Sequence, residues 1–312
     1  MRILVVGAGA IGGYFGGRLL EAGRDVTFLV RPRRAAQLAR TGLSIRSPVR
    51  NVDLSAPPTV QADALKETFD LIVLSCKAYD LEGAIESFAP AVGAQTAILP
   101  LLNGMRHLDV LDVKFGPNAV LGGQCVISAA LDAEGRILHL NNSHSLTFGE
   151  RARPRSARVD AILAALQGAT FDAILSEAIL QEMWEKWIFI AGLAGITCLM
   201  RSAVGDVISA DGPELALALL EECADIATGA GFPPRDVALQ RSRAALSVNG
   251  SPLMASMLRD IERGARTEVE QILGDLRKRQ VRDAGGTSLL HLAYTHVKAY
   301  EARRAREERA GS

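Results

Sequence analysis

Six residues near the amino end, Gly7-Ala8-Gly9-Ala10-Ile11-Gly12, carry the spacing G-x-G-x-x-G. They follow the aliphatic run Ile3 to Val6 and open an apolar stretch, so the glycines stand where a strand turns into a helix. In that context the first glycine permits the tight turn, the second lets backbone approach a pyrophosphate, and the third lets helix pack on strand. Unpaired N–H groups at the helix start then face the phosphates. Glycine-rich turns also arise for structural reasons alone. Here strand, turn, helix and second strand arrive in order, and Gly7 to Gly12 is read as the binding turn of a dinucleotide.

The end of the second strand bears on which dinucleotide. NAD-specific folds place an acid there, to accept from the ribose 2′-hydroxyl. This chain has Leu29-Val30-Arg31-Pro32-Arg33-Arg34, with three arginines and no acid. A guanidinium pairs bidentately with a 2′-phosphate, which favours NADP (NADPH), the alternative being a solvated basic helix start.

Two further motifs end strands of the first half: Ser75-Cys76-Lys77 and Leu102-Asn103-Gly104. The carboxyl ends of strands are where open α/β sheets bind ligands, so Lys77 and Asn103 are candidates for contacts to cofactor or substrate. In the second half, Lys186 is the only basic residue between Ala173 and Arg201 and borders a long apolar run. Such a lysine either snorkels to water or sits in a desolvated cleft with a lowered pKa.

The elements that must position these residues follow from the hydrophobic pattern. Short aliphatic runs at Ile3–Val6, Val26–Val30, Leu71–Ser75 and Ala97–Leu101 alternate with amphipathic stretches, as in βαβ units. Val120 to Ala130 and Arg136 to Gly149 read as strands joined by a turn at Asp132 to Gly135, and Ala173 to Leu175 as a last strand. From Glu177 onward helical periodicity takes over, with helices expected over Leu215–Ala230 and Met254–Lys278, so the domain boundary is placed near residue 176.

Composition excludes several classes. Of 312 residues, 48% are hydrophobic, and 35 basic residues balance 35 acidic ones, which argues against a sequence-blind grip on nucleic acid. Cys76, Cys125, Cys198 and Cys223 are scattered without a CxxC, and the five histidines form no HExxH, so no metal site is expected. The cysteines read as buried thiols in a reducing compartment. The core of the amino-terminal apolar run, Ile3 to Val6, is too short for a signal peptide, and the uncharged run Trp187 to Met200 is too short to span a bilayer. No membrane association and a cytoplasmic location are expected.

Taken together, Gly7-x-Gly9-x-x-Gly12, Arg31, Lys77-Ala78, Asn103-Gly104, Trp184-x-Lys186, Ser256-Met257-x-x-Asp260 and Thr267-Glu268 resemble the ketopantoate reductase (2-dehydropantoate 2-reductase) family in order and approximate spacing. The resemblance covers nearly the whole chain. It implies an α/β fold, with an N-terminal Rossmann-type doubly wound sheet over 1–176. An all-helical C-terminal domain akin to that of 6-phosphogluconate dehydrogenase would follow over 177–312. It implies NADPH-dependent reduction of a small 2-oxo acid to a 2-hydroxy acid, within pantothenate biosynthesis if ketopantoate is the substrate, and a possible homodimer. On this resemblance Gly7, Ala8, Gly9, Ala10, Ile11 and Gly12 hold the pyrophosphate, and Arg31 and Lys77 face the adenosine 2′-phosphate. Asn103 and Ala129 lie by the nicotinamide end, Asn103 also meeting substrate. Lys186 is the general acid, Ser256 contacts the substrate carboxylate, and Glu268 lies near the nicotinamide ribose and the reacting centre. The chemistry agrees: a ketone that accepts hydride develops charge on oxygen, which an ammonium both stabilises and protonates.

Ser256 and Glu268 are twelve residues apart, about 18 Å on one unbroken helix. Either that helix bends near Gly264 or the two residues touch different ends of the cofactor–substrate assembly. The family's asparagines after the lysine are here Ile190, Ala194 and, by ungapped spacing, Val204. An apolar wall cannot select a substrate hydroxyl, so a more apolar substrate than ketopantoate is expected. Other readings are a related NADP-dependent reductase of another apolar 2-oxo acid, a β-hydroxy acid or an imine, and a non-catalytic NADP(H)-binding redox sensor.

Overall fold

A computed structural model describes residues 1–152, 154–280 and 288–310. The chain divides into two compact units, Met1–Leu102 with His107–Leu180, and Asn103–Arg106 with Gln181–Ser312.

The first unit begins β1 (Ile3–Val6), α1 (Ala10–Glu21), β2 (Val26–Leu29), α2 (Pro32–Thr41), β3 (Leu43–Arg46), β4 (Val52–Leu54), β5 (Thr59–Val60) and β6 (Phe69–Leu74). It continues with α3 (Leu81–Phe88), β7 (Val92–Pro100), α4 (Arg106–Phe115, whose first residue belongs to the second unit), β8 (Gly122–Leu131), β9 (Ile137–Gly149), α5 (Ala157–Leu166) and β10 (Asp172–Leu175). Among the described residues five strands form a parallel sheet in the order β5-β2-β1-β6-β7. Ile3 to Val6 and Leu71 to Leu74 are buried throughout, as strands covered on both faces must be. In register, Val6 faces both Leu29 and Leu74, so the segments after β1, β2 and β6 leave the sheet at one edge. That edge receives the glycine turn, Arg31 and Lys77.

A second sheet, in the order β10-β9-β3-β4 with β8 on β9, was partly hidden from the sequence reading. Strands β3 and β4 were not anticipated: both alternate apolar and polar residues, but at four and three residues they are too short to stand out. Helix α1 packs on both sheets through its glycines. A Cβ at Gly16 would lie 2.6 Å from the Phe28 ring on β2, and one at Gly17 would lie 2.9 Å from Ile45 on β3. The first unit extends past β10 because the Ser176 N–H donates to the Phe148 carbonyl at 2.8 Å and Ile179 packs against Gly122 and Gly149.

The second unit is helical: α6 (Ile179–Met200), whose first two residues belong to the first unit, then α7 (Val204–Ser209), α8 (Pro213–Gly229) and α9 (Asp236–Ala245). After these come α10 (Ser256–Glu262), a π-helical turn at Glu270–Gly274, α11 (Asp275–Lys278) and α12 (Leu289–Ala310). Helix α6 is apolar on nearly every side because it is a core helix; it is long and apolar enough to cross a membrane, yet most of its apolar stretch is buried within the protein. The single helix expected over Met254–Lys278 is broken. At Gly264 the backbone takes φ +69°, a left-handed value glycine adopts without strain, and residues 265–268 belong to no helix before the chain coils again. Of the two options for Ser256 and Glu268, the structure takes the interruption at Gly264.

Candidate functional site

In the first unit the glycines divide their work in a way the side-chain geometry makes visible. Gly7 has φ +94°, and its N–H donates to the Leu29 carbonyl at 2.9 Å, fixing the turn beside β2. A Cβ on Gly12 would come within 2.2 Å of the Gly7 carbonyl oxygen and 2.1 Å of Ser75 Oγ, so no other residue fits there. Gly9 is different: among the described residues a Cβ there would meet no atom within 4 Å. Its smallness serves nothing inside the chain and leaves open the space a pyrophosphate would take. Helix α1 starts at Ala10 with no side-chain cap, so its first-turn N–H groups remain available to an anion. The residues present therefore fit a dinucleotide.

Ser75 Oγ donates to the Val6 carbonyl at 3.0 Å, tying the end of β6 to this turn. The three arginines after β2 separate into different roles. Arg34 donates from Nε to the Ala8 carbonyl at 3.0 Å and from Nη1 to Gln37 Oε1 and the Gly135 carbonyl; burial pushes its pKa down. It braces the turn from behind. Arg33 is exposed, and Arg31, also exposed, pairs through Nη2 with Asp80 Oδ1 at 3.0 Å. Lys77 is exposed at the start of the 3₁₀ turn Ala78–Asp80. Ala129 lies half-buried on β8 opposite His139, just past a register shift, where the Ser128 N–H bonds the Asn141 side chain at 3.2 Å. A bulge of this kind re-aims the following side chain.

The second unit brings three of the sequence candidates into one hydrogen-bonded frame. Lys186 is half-buried on α6. Its neighbour Trp187 is fully buried and donates from Nε1 to the Ile272 carbonyl at 2.9 Å, inside the π-helical turn. The next residue back, Gln271, donates from Nε2 to the Asn103 carbonyl at 2.9 Å. Gly104, with φ +77°, lets that segment lie against Gln271, since a Cβ there would sit 2.7 Å from the Gln271 carbonyl oxygen. Glu268 is buried, and its own carbonyl accepts from the N–H groups of Gln271 and Ile272 at 3.1 and 3.0 Å. Residues 103, 186 and 268 are thus carried on segments that share one turn of backbone. A π-helical turn of this sort leaves the usual ladder out of step and is often found beside functional sites.

Around Lys186 the helix is clamped. Trp184 stacks on Phe232 with centroids 5.4 Å apart. Glu185 accepts from Arg235 Nε at 2.7 Å and Nη2 at 2.6 Å; burial alone would raise its pKa, but these bonds hold it below the ordinary carboxylate value. Ser256 is exposed as the first residue of α10. Ile190, one turn after Lys186, is half-buried, whereas Ala194 and Val204 are fully buried. The last two are core residues, so of the three departures only Ile190 shares the lysine's helix face with any exposure.

Sequence reasoning missed Asp80 and Gln271. An aspartate beginning a helix reads as an N-cap, and a glutamine within an apolar turn carries no motif. None of the cysteines is in a disulfide; Cys125, Cys198 and Cys223 are buried as expected, whereas Cys76 is only half-buried, and burial pushes the Cys198 thiol up to about 12. The described residues hold no cluster that could bind a metal.

A parallel sheet with an uncapped glycine turn at its edge, followed by a helical unit carrying a half-buried lysine, defines a two-domain dinucleotide-dependent oxidoreductase. The ketopantoate reductase PanE/ApbA family matches residues 3–153, and its C-terminal counterpart matches residues 178–301. The uncharacterized oxidoreductase YkpB of Bacillus subtilis is 38% identical over 303 residues, 97% of this chain and 99% of its own. A 2-dehydropantoate 2-reductase of Mesorhizobium japonicum is 27% identical over 298 residues, 88% of this chain and 89% of its own. The crystal structure of 2-dehydropantoate 2-reductase from Methylococcus capsulatus superposes with a TM-score of 0.85 at 26% identity, covering 97% and 98% of the two chains. The chain belongs to the ketopantoate reductase family.

Proposed function

We propose that the protein is an NADPH-dependent reductase of a small, apolar 2-oxo acid, giving the 2-hydroxy acid. The observation that carries this reading is the frame of the second unit, in which the Trp187–Ile272 and Gln271–Asn103 hydrogen bonds hold the segments of Lys186, Glu268 and Asn103 together. Gly7 to Gly12 would hold the pyrophosphate, Arg31 and Lys77 the adenosine 2′-phosphate, and Ala129 the nicotinamide end. When bound, the reduced nicotinamide supplies a hydride to the carbonyl carbon. The Lys186 ammonium donates to the carbonyl oxygen and then gives it a proton as charge develops there. Asn103 orients the substrate from the segment that Gln271 fixes, Ser256 meets its carboxylate, and buried Glu268 accepts a hydrogen bond near the reacting centre.

Ile190 sets the substrate class. One turn from the lysine it offers a hydrocarbon surface where a polar group would be needed to recognise a substrate hydroxyl, and selection against missing hydrogen bonds is far stronger than selection by methylenes. Steady-state NADPH oxidation across a panel of 2-oxo acids tests the proposal. Branched aliphatic 2-oxo acids are expected to turn over with higher kcat/KM than ketopantoate. A strong preference for ketopantoate would contradict the apolar assignment, and no oxidation with any 2-oxo acid would contradict the reaction.

A further inference from the structure

We infer that Asp80 sets the nucleotide preference of this chain, by sharing Arg31 with the adenosine ribose and so drawing the site away from strict use of the 2′-phosphorylated cofactor. The inference rests on the nucleotide reading above and deepens it.

Three observations converge on Asp80. It stands at the N-cap position of α3, where an aspartate ordinarily accepts from its own helix's N–H groups, yet it makes no side-chain cap bond. Its carboxylate instead pairs with Arg31 at 3.0 Å. Arg31 in turn stands two residues after Leu29, the last residue of β2, the place where a ribose-reading group belongs. The acid that the second strand lacks is therefore supplied from a different loop, the one that follows β6 and also carries Lys77.

The electrostatic consequence depends on the sugar. A 2′-hydroxyl can donate to the Asp80 carboxylate, and the Arg31–Asp80 pair then stays neutral overall. A 2′-phosphate brings about two negative charges to a guanidinium that already has a carboxylate partner. It must either displace Asp80 or lie beside it, and like charges at hydrogen-bonding range repel. Lys77 and Arg33 offset part of this, being exposed cations nearby in sequence. The pair itself is open to solvent, Arg31 at 74% and Asp80 at 32%, so screening keeps the effect moderate. The result is a site that accepts NADH alongside NADPH rather than excluding it.

The test is Asp80→Asn, with Arg31→Ala in parallel, each measured with NADPH and with NADH at low and high salt. Asp80→Asn is expected to lower KM for NADPH about fivefold and to raise KM for NADH, and the gain for NADPH is expected to shrink in high salt. Arg31→Ala is expected to weaken NADPH and to leave Asp80 without its partner, so adding Asp80→Asn to it no longer improves NADPH. A thermal melt of each variant separates a folding defect from a change in preference. A rise in KM for NADPH in Asp80→Asn would overturn the inference, because Asp80 would then be orienting Arg31 for the phosphate. Equal changes for both nucleotides would also overturn it. Failure of the wild-type chain to bind either nucleotide would remove the nucleotide reading itself, and this inference with it.

Discussion

The glycine turn of the first unit and the hydrogen-bonded frame of the second reach rigidity by opposite means. The turn is centred on residues close in the chain, Gly7 that bends and Gly12 that makes room for it, and only two ties reach it from further off, Arg34 across 26 positions and Ser75 across 69. The frame joins residues far apart, since the Trp187–Ile272 bond spans 85 positions and the Gln271–Asn103 bond spans 168. A mainly local device tolerates no side chain at Gly12 and depends on few distant residues. A non-local one is soft at each single link, and its failure shows first in the placement of reacting groups.

Substitutions in the turn should break the comparison most sharply. Gly12→Val forces a side chain into the Gly7 carbonyl and Ser75, and is expected to cost about 3 kcal/mol or more in stability. Gly9→Ala meets no protein atom. It should shift stability by no more than about 0.5 kcal/mol. Its effect should fall on nucleotide affinity, weakened about tenfold, equivalent to roughly 1.4 kcal/mol of misfit against the ligand. Chemical denaturation and nucleotide titration of the two variants separate these roles. Equal stability losses would show that Gly9, too, serves the fold.

In the frame, Gln271→Ala removes one link and leaves the Asn103 carbonyl to find another donor. The expected result is a kcat lower by about tenfold to 100-fold, from misplacement of reacting groups, with nucleotide affinity little changed. A loss confined to thermal stability would mark Gln271 as part of the core alone. A smaller effect is expected at Ile190. Ile190→Asn should improve kcat/KM for a hydroxylated 2-oxo acid relative to a branched aliphatic one by about tenfold.

The same contrast explains what the sequence disclosed. The parallel sheet, the turn and the start of the helical half were legible because their signals are contiguous: aliphatic runs, spaced glycines, a change of period. Lys186 stood out as a lone cation beside an apolar run, but a catalytic role for it, and any role for Glu268, came only from resemblance, since a buried glutamate has no local signature. Gln271 and Asp80 were invisible because their meaning lies in a partner many residues away. Ala194 and Val204 lie in the core rather than on an exposed wall, because burial depth depends on how α6 and α7 pack in the second unit.

Acidification should separate the two units by the smallest margin. His144 is held below its usual pKa of 6.5, first by burial and then by the neighbouring His139 and Arg18, with Asp172 opposing. Its Nδ1 lies 2.7 Å from the hydroxyl of buried Tyr14. The folded form therefore prefers the neutral ring, the unfolded chain binds the proton more readily, and stability falls as pH drops from about 6.5 through the lowered folded value. All five groups belong to the first unit, whereas both tryptophans, Trp184 and Trp187, belong to the second. Tryptophan fluorescence should then report a transition less sensitive to pH than circular dichroism of the whole chain. Coincident acid shifts in both signals would show that the units unfold as one.

The role of Lys186 is tested most directly by pairing single-turnover NADPH oxidation with nucleotide titration in Lys186→Ala. The account predicts that the rate falls by a factor of about 100 to 10,000 while NADPH still binds, because the acid belongs to the helical unit and the nucleotide to the sheet unit. Undiminished oxidation of a 2-oxo acid by Lys186→Ala would contradict it.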